Sequence, residues 1–135
     1  MSHLHDFASR YAKAWCSQNP ESVAAFFAER GSISINNGPP AVGRAAIAKE
    51  AQAFMTTFPD MVVTLDDLKI GGRSSCDAAF HWTLTGTNTA PGGAGKRVRI
   101  SGYELWKIDN DGLIAASKGY FDSVEYERQL KHGVD

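Results

Sequence analysis

The sequence predicts an α+β fold: three N-terminal helices packed on one face of an antiparallel sheet, with a short C-terminal helix. Three observations predict it. Apolar residues recur at three- and four-residue steps through the first half and at every second position through the second half. The links between the later apolar rows are of hairpin length, which suits antiparallel neighbours. A chain of 135 residues, 43% of them hydrophobic, holds enough apolar material for one core and reads as a single domain, 1–135.

Leu4, Phe7, Ala8, Tyr11, Ala14 and Trp15 form one apolar stripe, so a helix is expected over about 3–17. Asn19-Pro20-Glu21 then supplies an N-cap, a proline for the first turn and an acid at the positive end of a second, short helix. That helix carries Val23, Phe26 and Phe27 and stops before Gly31. A brief strand over 32–35 leads to the loop Asn37-Gly38-Pro39-Pro40. The third helix opens near Gly43, presents Ile47, Ala51, Phe54 and Phe58 along one side, and ends at Pro59. Strands follow over about 61–70, 76–88, 96–108 and 113–121, joined by the glycine-rich links 71–75 and 90–95. Asp122-Ser123-Val124-Glu125 has capping-box spacing and predicts a closing helix through Tyr126 and Leu130.

Composition narrows the function. A net charge of −1 and a pI near 6.4 give no electrostatic reason to expect nucleic acid or an anionic membrane as partner. The basic stretch Lys96-Arg97-Val98-Arg99 reads as a solvated edge. Cys16 and Cys76 are too few for a disulfide framework and read as buried thiols of a reducing compartment. His3, His5, His81 and His132 form no pair with ligand spacing, so no metal site is expected. His81 falls in a threonine-rich row with Thr83, Thr85 and Thr87, which is either solvated or a dimer surface. The N-terminal Met-Ser-His-Leu-His-Asp-Phe lacks a basic segment followed by an apolar run, so neither a signal peptide nor a membrane span is expected and the cytoplasm is the default.

One residue stands out. Val98, Ile100, Gly102, Glu104, Trp106 and Ile108 share a strand face, so Glu104 points where its apolar neighbours point. A buried carboxylate needs a partner or takes up a proton, and so serves either a structural pair or chemistry. Lys118, Tyr120 and Asp122 share a face of the next strand. Asn110-Asp111-Gly112 suits a three-residue turn, which pairs Asp109 with Leu113 and sets Glu104 opposite Lys118 as an ion pair. A two-residue turn would instead set Glu104 against Gly119 and leave both charges alone. In the first register, Glu104, Lys118, Tyr120 and Asp122 gather in a groove walled by Trp82 and Trp106. Asp122 has two readings, acid–base catalyst or helix cap; Glu104 is either a base or the structural partner of Lys118. Tyr120 is either a donor to a substrate oxyanion or a wall residue.

The order and spacing of several short runs resemble the SnoaL-like (polyketide cyclase-like) family of the nuclear transport factor 2-like superfamily. The runs are Trp15, Gly43 to Ile47, Phe58-Pro59-Asp60, Trp82 to Thr87, Gly102 to Trp106, Asp111 to Ile114 and Tyr120-Phe121-Asp122. The resemblance covers essentially the whole chain. It implies a cone in which the helices close a strongly curved sheet around an internal apolar pocket, commonly in homodimers that pack sheet against sheet. It implies an aspartate at Asp122 acting as acid–base in ring closure without metal or cofactor, and a polar residue at Glu104. Lys118 departs from the family, where tryptophan is frequent, as does Ala116-Ser117, where acids are frequent.

The function expected is that of a cofactor-free acid–base enzyme of cyclase, isomerase or dehydratase type, acting on a small apolar carbonyl compound. Asp122, Glu104 and Tyr120 would be catalytic, with Trp15, Phe54, Phe58, Trp82, Trp106 and Lys118 around the ligand. The alternative is a non-catalytic dimeric protein that binds a small molecule in the same pocket.

Overall fold

The computed structural model describes residues 2–71, 77–89 and 92–134, with the side chains of Ser2 and His3 left out. Cys76, expected at the head of a strand row, and 72–75 and 90–91 of the two links lie outside the described residues. The elements run α1 (Ser2–Cys16), α2 (Pro20–Ala24), β1 (Phe27–Ile35), β2 (Ala41–Val42), α3 (Arg44–Thr57), β3 (Val62–Ile70), β4 (Ala78–Thr87), β5 (Arg97–Ile108), β6 (Ile114–Phe121) and α4 (Ser123–His132). The six strands form one curved, open sheet in the order β2-β1-β6-β5-β4-β3.

β3 to β6 are antiparallel neighbours, as their short links predict. β1 adds beside β6 in parallel, which the sequence did not disclose, because β2, α3 and the first three strands of the meander lie between the two. β1 also starts earlier than expected. α2 ends at Ala24, and the fully buried Phe27 pairs with Ile114 rather than extending the helix. Asn19 caps α2 by accepting the Glu21 N–H at 3.1 Å.

Short motifs acquire physical reasons here. A Cβ at Gly86 would stand 2.8 Å from Phe58 Cβ, so the glycine in the Thr-Gly-Thr run makes room for the buried Phe58. Asp60 accepts the Thr87 N–H and the Thr87 hydroxyl, each at 2.7 Å, and tethers the α3–β3 turn to the end of β4. The Thr87 N–H chiefly holds the Asp60 carboxyl below its usual range. Arg44 donates from Nε to the Phe27 carbonyl at 3.0 Å, fastening α3 to β1.

The last hairpin forms as expected at its tip and departs below it. Asp109 N–H donates to the Leu113 carbonyl at 2.9 Å, and Gly112 adopts φ +81. Ile108 then pairs with Ile114 but Lys107 pairs with Ala116, so Ala115 is an extra, bulged residue. The bulge shifts the register by one position and inverts every later side chain on β6. Glu104 therefore faces Gly119 rather than Lys118, Lys118 pairs with Leu105, and the expected Glu104–Lys118 ion pair does not form.

Candidate functional site

The inward row of β5 delivers Glu104 beneath the helices, 7% exposed. Its partners are three uncharged donors. Oε1 accepts from Ser117 Oγ at 2.8 Å, Trp106 Nε1 at 2.9 Å and Tyr11 Oη at 3.0 Å. Oε2 is held more loosely, by the same Tyr11 hydroxyl at 3.3 Å. Each donor has a fixed seat. Tyr11 projects from the apolar stripe of α1, and its ring meets Phe80 and Trp106 edge to face at 5.2 and 5.3 Å. Trp106 stacks on Phe80 with centroids 5.1 Å apart. Ser117 is turned inward by the bulge at Ala115.

Burial pushes the Glu104 carboxyl above its ordinary range, opposed by the hydrogen bonds from Trp106, Ser117 and Tyr11. Burial and the neighbouring Glu104 charge push the Tyr11 phenol well above its usual value. The result is a desolvated carboxylate whose one oxygen is saturated while the other is nearly free. Such a group accepts a proton more readily than a solvated glutamate does.

Glu104 sits on the wall of an otherwise apolar pocket with a cavity volume of about 60 Å³. Trp15, Ile33, Phe54, Phe80, Trp82 and Phe121 are among the residues that line it, and Glu104 is the one ionisable group among the described lining residues. Of the residues expected around a ligand, Trp15, Phe54 and Trp82 line the pocket. Phe58 is fully buried beneath Gly86, and Trp106 is fully buried behind the carboxylate it donates to.

The bulge carries the other expected partners away. Lys118 is exposed on the outer face. Tyr120 lies there too, its ring 5.3 Å from that of Tyr103 and its hydroxyl donating to Asn37 Oδ1 at 3.1 Å. Asp122 is exposed and caps α4, its Oδ1 accepting the Glu125 N–H at 3.1 Å. The structure thus places Glu104 in the pocket without Lys118, Tyr120 or Asp122. Asp122→Ala is expected to cost about 1 kcal/mol through the lost cap, which is a melting-temperature fall of roughly 3–4 °C. Ligand stabilisation in a thermal-shift assay should be unchanged.

Tyr11 and Ser117 were not foreseen as site residues. Tyr11 left one trace: a lone hydroxyl in an apolar helix stripe needs a buried partner. Ser117 left none, because its inward aim depends on the bulge. Among the described residues, no group of three or more His, Cys, Asp or Glu side chains is gathered closely enough to hold a metal ion. No helix among them is long and apolar enough to cross a membrane.

A family model described as the SnoaL-like domain matches residues 8–117. Comparison with curated proteins found no match. By structure, the chain is similar to a protein from Jannaschia sp. CCS1 described as a SnoaL-like polyketide cyclase, with a TM-score of 0.79, 12% identity, and coverage of 97% of this chain and 93% of that one. It is similar to a protein of ketosteroid isomerase-like fold from Catenulispora acidiphila, solved with trimethylamine, at TM-score 0.77 and 17% identity over 93% and 92% of the two chains. It is also similar to SalBIII, an epoxide hydrolase/cyclase-like enzyme of pyran ring formation in salinomycin, at TM-score 0.76 and 16% identity over 91% and 93%. At these identities the likeness concerns the fold alone.

Proposed function

The chain belongs to the SnoaL-like domain family, and on that premise we propose that it is a cofactor-free acid–base enzyme acting on a small, largely apolar carbonyl compound. One observation carries the proposal: a buried carboxylate with no cationic partner among the described residues borders an apolar pocket, with Oε2 the less engaged oxygen. In the reaction, Oε2 takes a proton from the carbon α to the carbonyl. The C–H bond breaks, an O–H bond forms on Glu104, and the electron pair moves onto the carbonyl oxygen as an enolate. Returning the proton to the same or a conjugated carbon completes an isomerisation; attack of the enolate carbon on a second carbonyl forms a C–C bond and an alkoxide, which takes the proton back from Glu104 to complete a ring closure. Tyr11, Trp106 and Ser117 hold the carboxylate in place and do not meet the substrate.

The test is α-deuteration of cyclopentanone in D2O, followed by proton NMR. Exchange above the buffer rate, rising with pH through one ionisation, supports the proposal. Protein that binds the ketone yet gives no exchange leaves the non-catalytic binding protein as the reading.

The working unit proposed is a homodimer joined through the outer sheet face. A row of rings there supports it: His81 lies 5.6 Å from Tyr103, which is 37% exposed and flanked by Tyr120. Light scattering should give twice the chain mass for wild type and the single mass for Tyr103→Glu.

A further inference from the structure

The enolate formed in that reaction needs a hydrogen-bond donor, and Tyr120, the residue expected to supply one, lies on the outer face. Among the described residues, the indole nitrogen of Trp82 is the one buried side-chain nitrogen or oxygen without a hydrogen-bond partner. Leaving an N–H dry and unpaired costs more than a typical hydrogen bond returns, so a native protein keeps one where something else completes it. Trp82 lines the pocket. Its position is enforced by a glycine. Trp82 pairs with Gly102, and a Cβ there would stand 2.6 Å from Trp82 Cζ2, so the nitrogen-bearing edge of the indole lies over Gly102. Gly102 is the next inward position on β5 from Glu104, which makes Trp82 and Glu104 diagonal neighbours on the same face.

We propose that the Trp82 indole N–H is the pocket's hydrogen-bond donor and takes the carbonyl oxygen of the substrate. Diagonal neighbours across an antiparallel pair stand roughly 7–8 Å apart. Side chains so placed can reach the carbonyl oxygen and the α carbon of one small ligand, each at about 3 Å. Trp82 then holds the oxygen while Glu104 takes the α proton, and the developing negative charge falls where the N–H already points its dipole. The selected ligand class is a compact apolar ketone or aldehyde with an α hydrogen, in preference to a hydrocarbon of the same shape. This assignment rests on the catalytic reading of Glu104 only for its chemistry; the binding preference is separate.

The experiment compares cyclopentanone with methylenecyclopentane, which replaces the carbonyl oxygen by a CH2 group. Titration of 15N-labelled wild type, with the Trp82 indole resonance assigned from Trp82→Phe, should move that resonance downfield with the ketone and not with the alkene. The ketone should bind about 3–10-fold more tightly than the alkene, the worth of one net hydrogen bond. Trp82→Phe should abolish that preference, and replacing the indole at 82 by benzothiophene should do the same with the shape kept. Equal binding of the two probes by wild type, an indole resonance indifferent to the ketone, or binding of neither probe overturns the assignment. Glu104→Gln separates the two ideas. Retained ketone preference in a wild type that gives no deuteration would sink the catalytic reading and keep the donor. Glu104-dependent deuteration without any ketone preference would do the reverse.

Discussion

Glu104→Gln is expected to fold normally and to lose α-hydrogen exchange by about 10²–10⁴-fold, the usual worth of a positioned base. Glutamine matches glutamate in volume, and its amide oxygen can receive the hydrogen bonds that Ser117, Trp106 and Tyr11 now give to Oε1. What it lacks is a basic lone pair. Glu104→Leu is the instructive contrast. It strands three buried donors at about 1–3 kcal/mol each, so it should unfold the protein rather than silence it.

The pH dependence has a definite sign. An unfolded glutamate titrates near 4.3, and burial raises the folded value above that. The folded state therefore binds the more protons in the window between the two values. The stabilising contribution of protonated Glu104 is complete below the unfolded value and is lost as pH rises through the folded one. Activity runs the other way, since only the carboxylate accepts a proton. Exchange should climb across the same window in which urea stability falls, and Glu104→Gln should show neither slope from this residue. Exchange that survives in Glu104→Gln would remove Glu104 from the mechanism.

Gly102→Ala should be the most damaging alanine substitution among the described glycines. The new Cβ would overlap the Tyr120 carbonyl oxygen, stand 2.6 Å from Trp82 Cζ2 and meet Phe121 Cβ at 3.0 Å. Two of these obstacles belong to the neighbouring strand, and the third is an indole wedged against Phe121, whose ring centre lies 6.0 Å away. The two on β6 cannot yield without parting β5 from β6, and the indole of β4 would have to turn away as well. A loss of about 3 kcal/mol is expected, at the upper end for overpacking, or roughly 10 °C in melting temperature for a chain of this size. Gly112→Ala offers a control at a glycine with open space around it, where only the positive φ resists the substitution. A Gly102→Ala protein as stable as wild type would mean that β6 and the indole do not approach Gly102 as closely as the structure puts them.

Much of this was legible in the sequence, for reasons that differ by residue. The helices and the meander followed from periodicity, which burial imposes along the whole length of an element. Glu104 followed from the parity of β5 alone. The parity of β6 could not be read in the same way. Ala115, Ala116 and Ser117 are small and belong comfortably on either face, so no side chain announced the bulge. A turn type inferred correctly at Asn110-Asp111-Gly112 was therefore carried one residue too far. The family resemblance to Asp122 had a local competitor already visible in the capping-box spacing, and the cap is what the side chain forms. Tyr11 illustrates a different limit: helix periodicity places it toward the core but cannot say which strand it will reach.

The extra alanine at 115 acts as a sign switch for the chamber. With it, the acid faces neutral donors and is governed by dehydration, so its proton affinity is high. A chain lacking that single residue would swing an ammonium group into the same space, pin the acid as a permanent anion and remove its reason to capture a proton. Whether the acid stands among neutral donors or locked in a salt bridge is thus decided by the parity of one short peptide run.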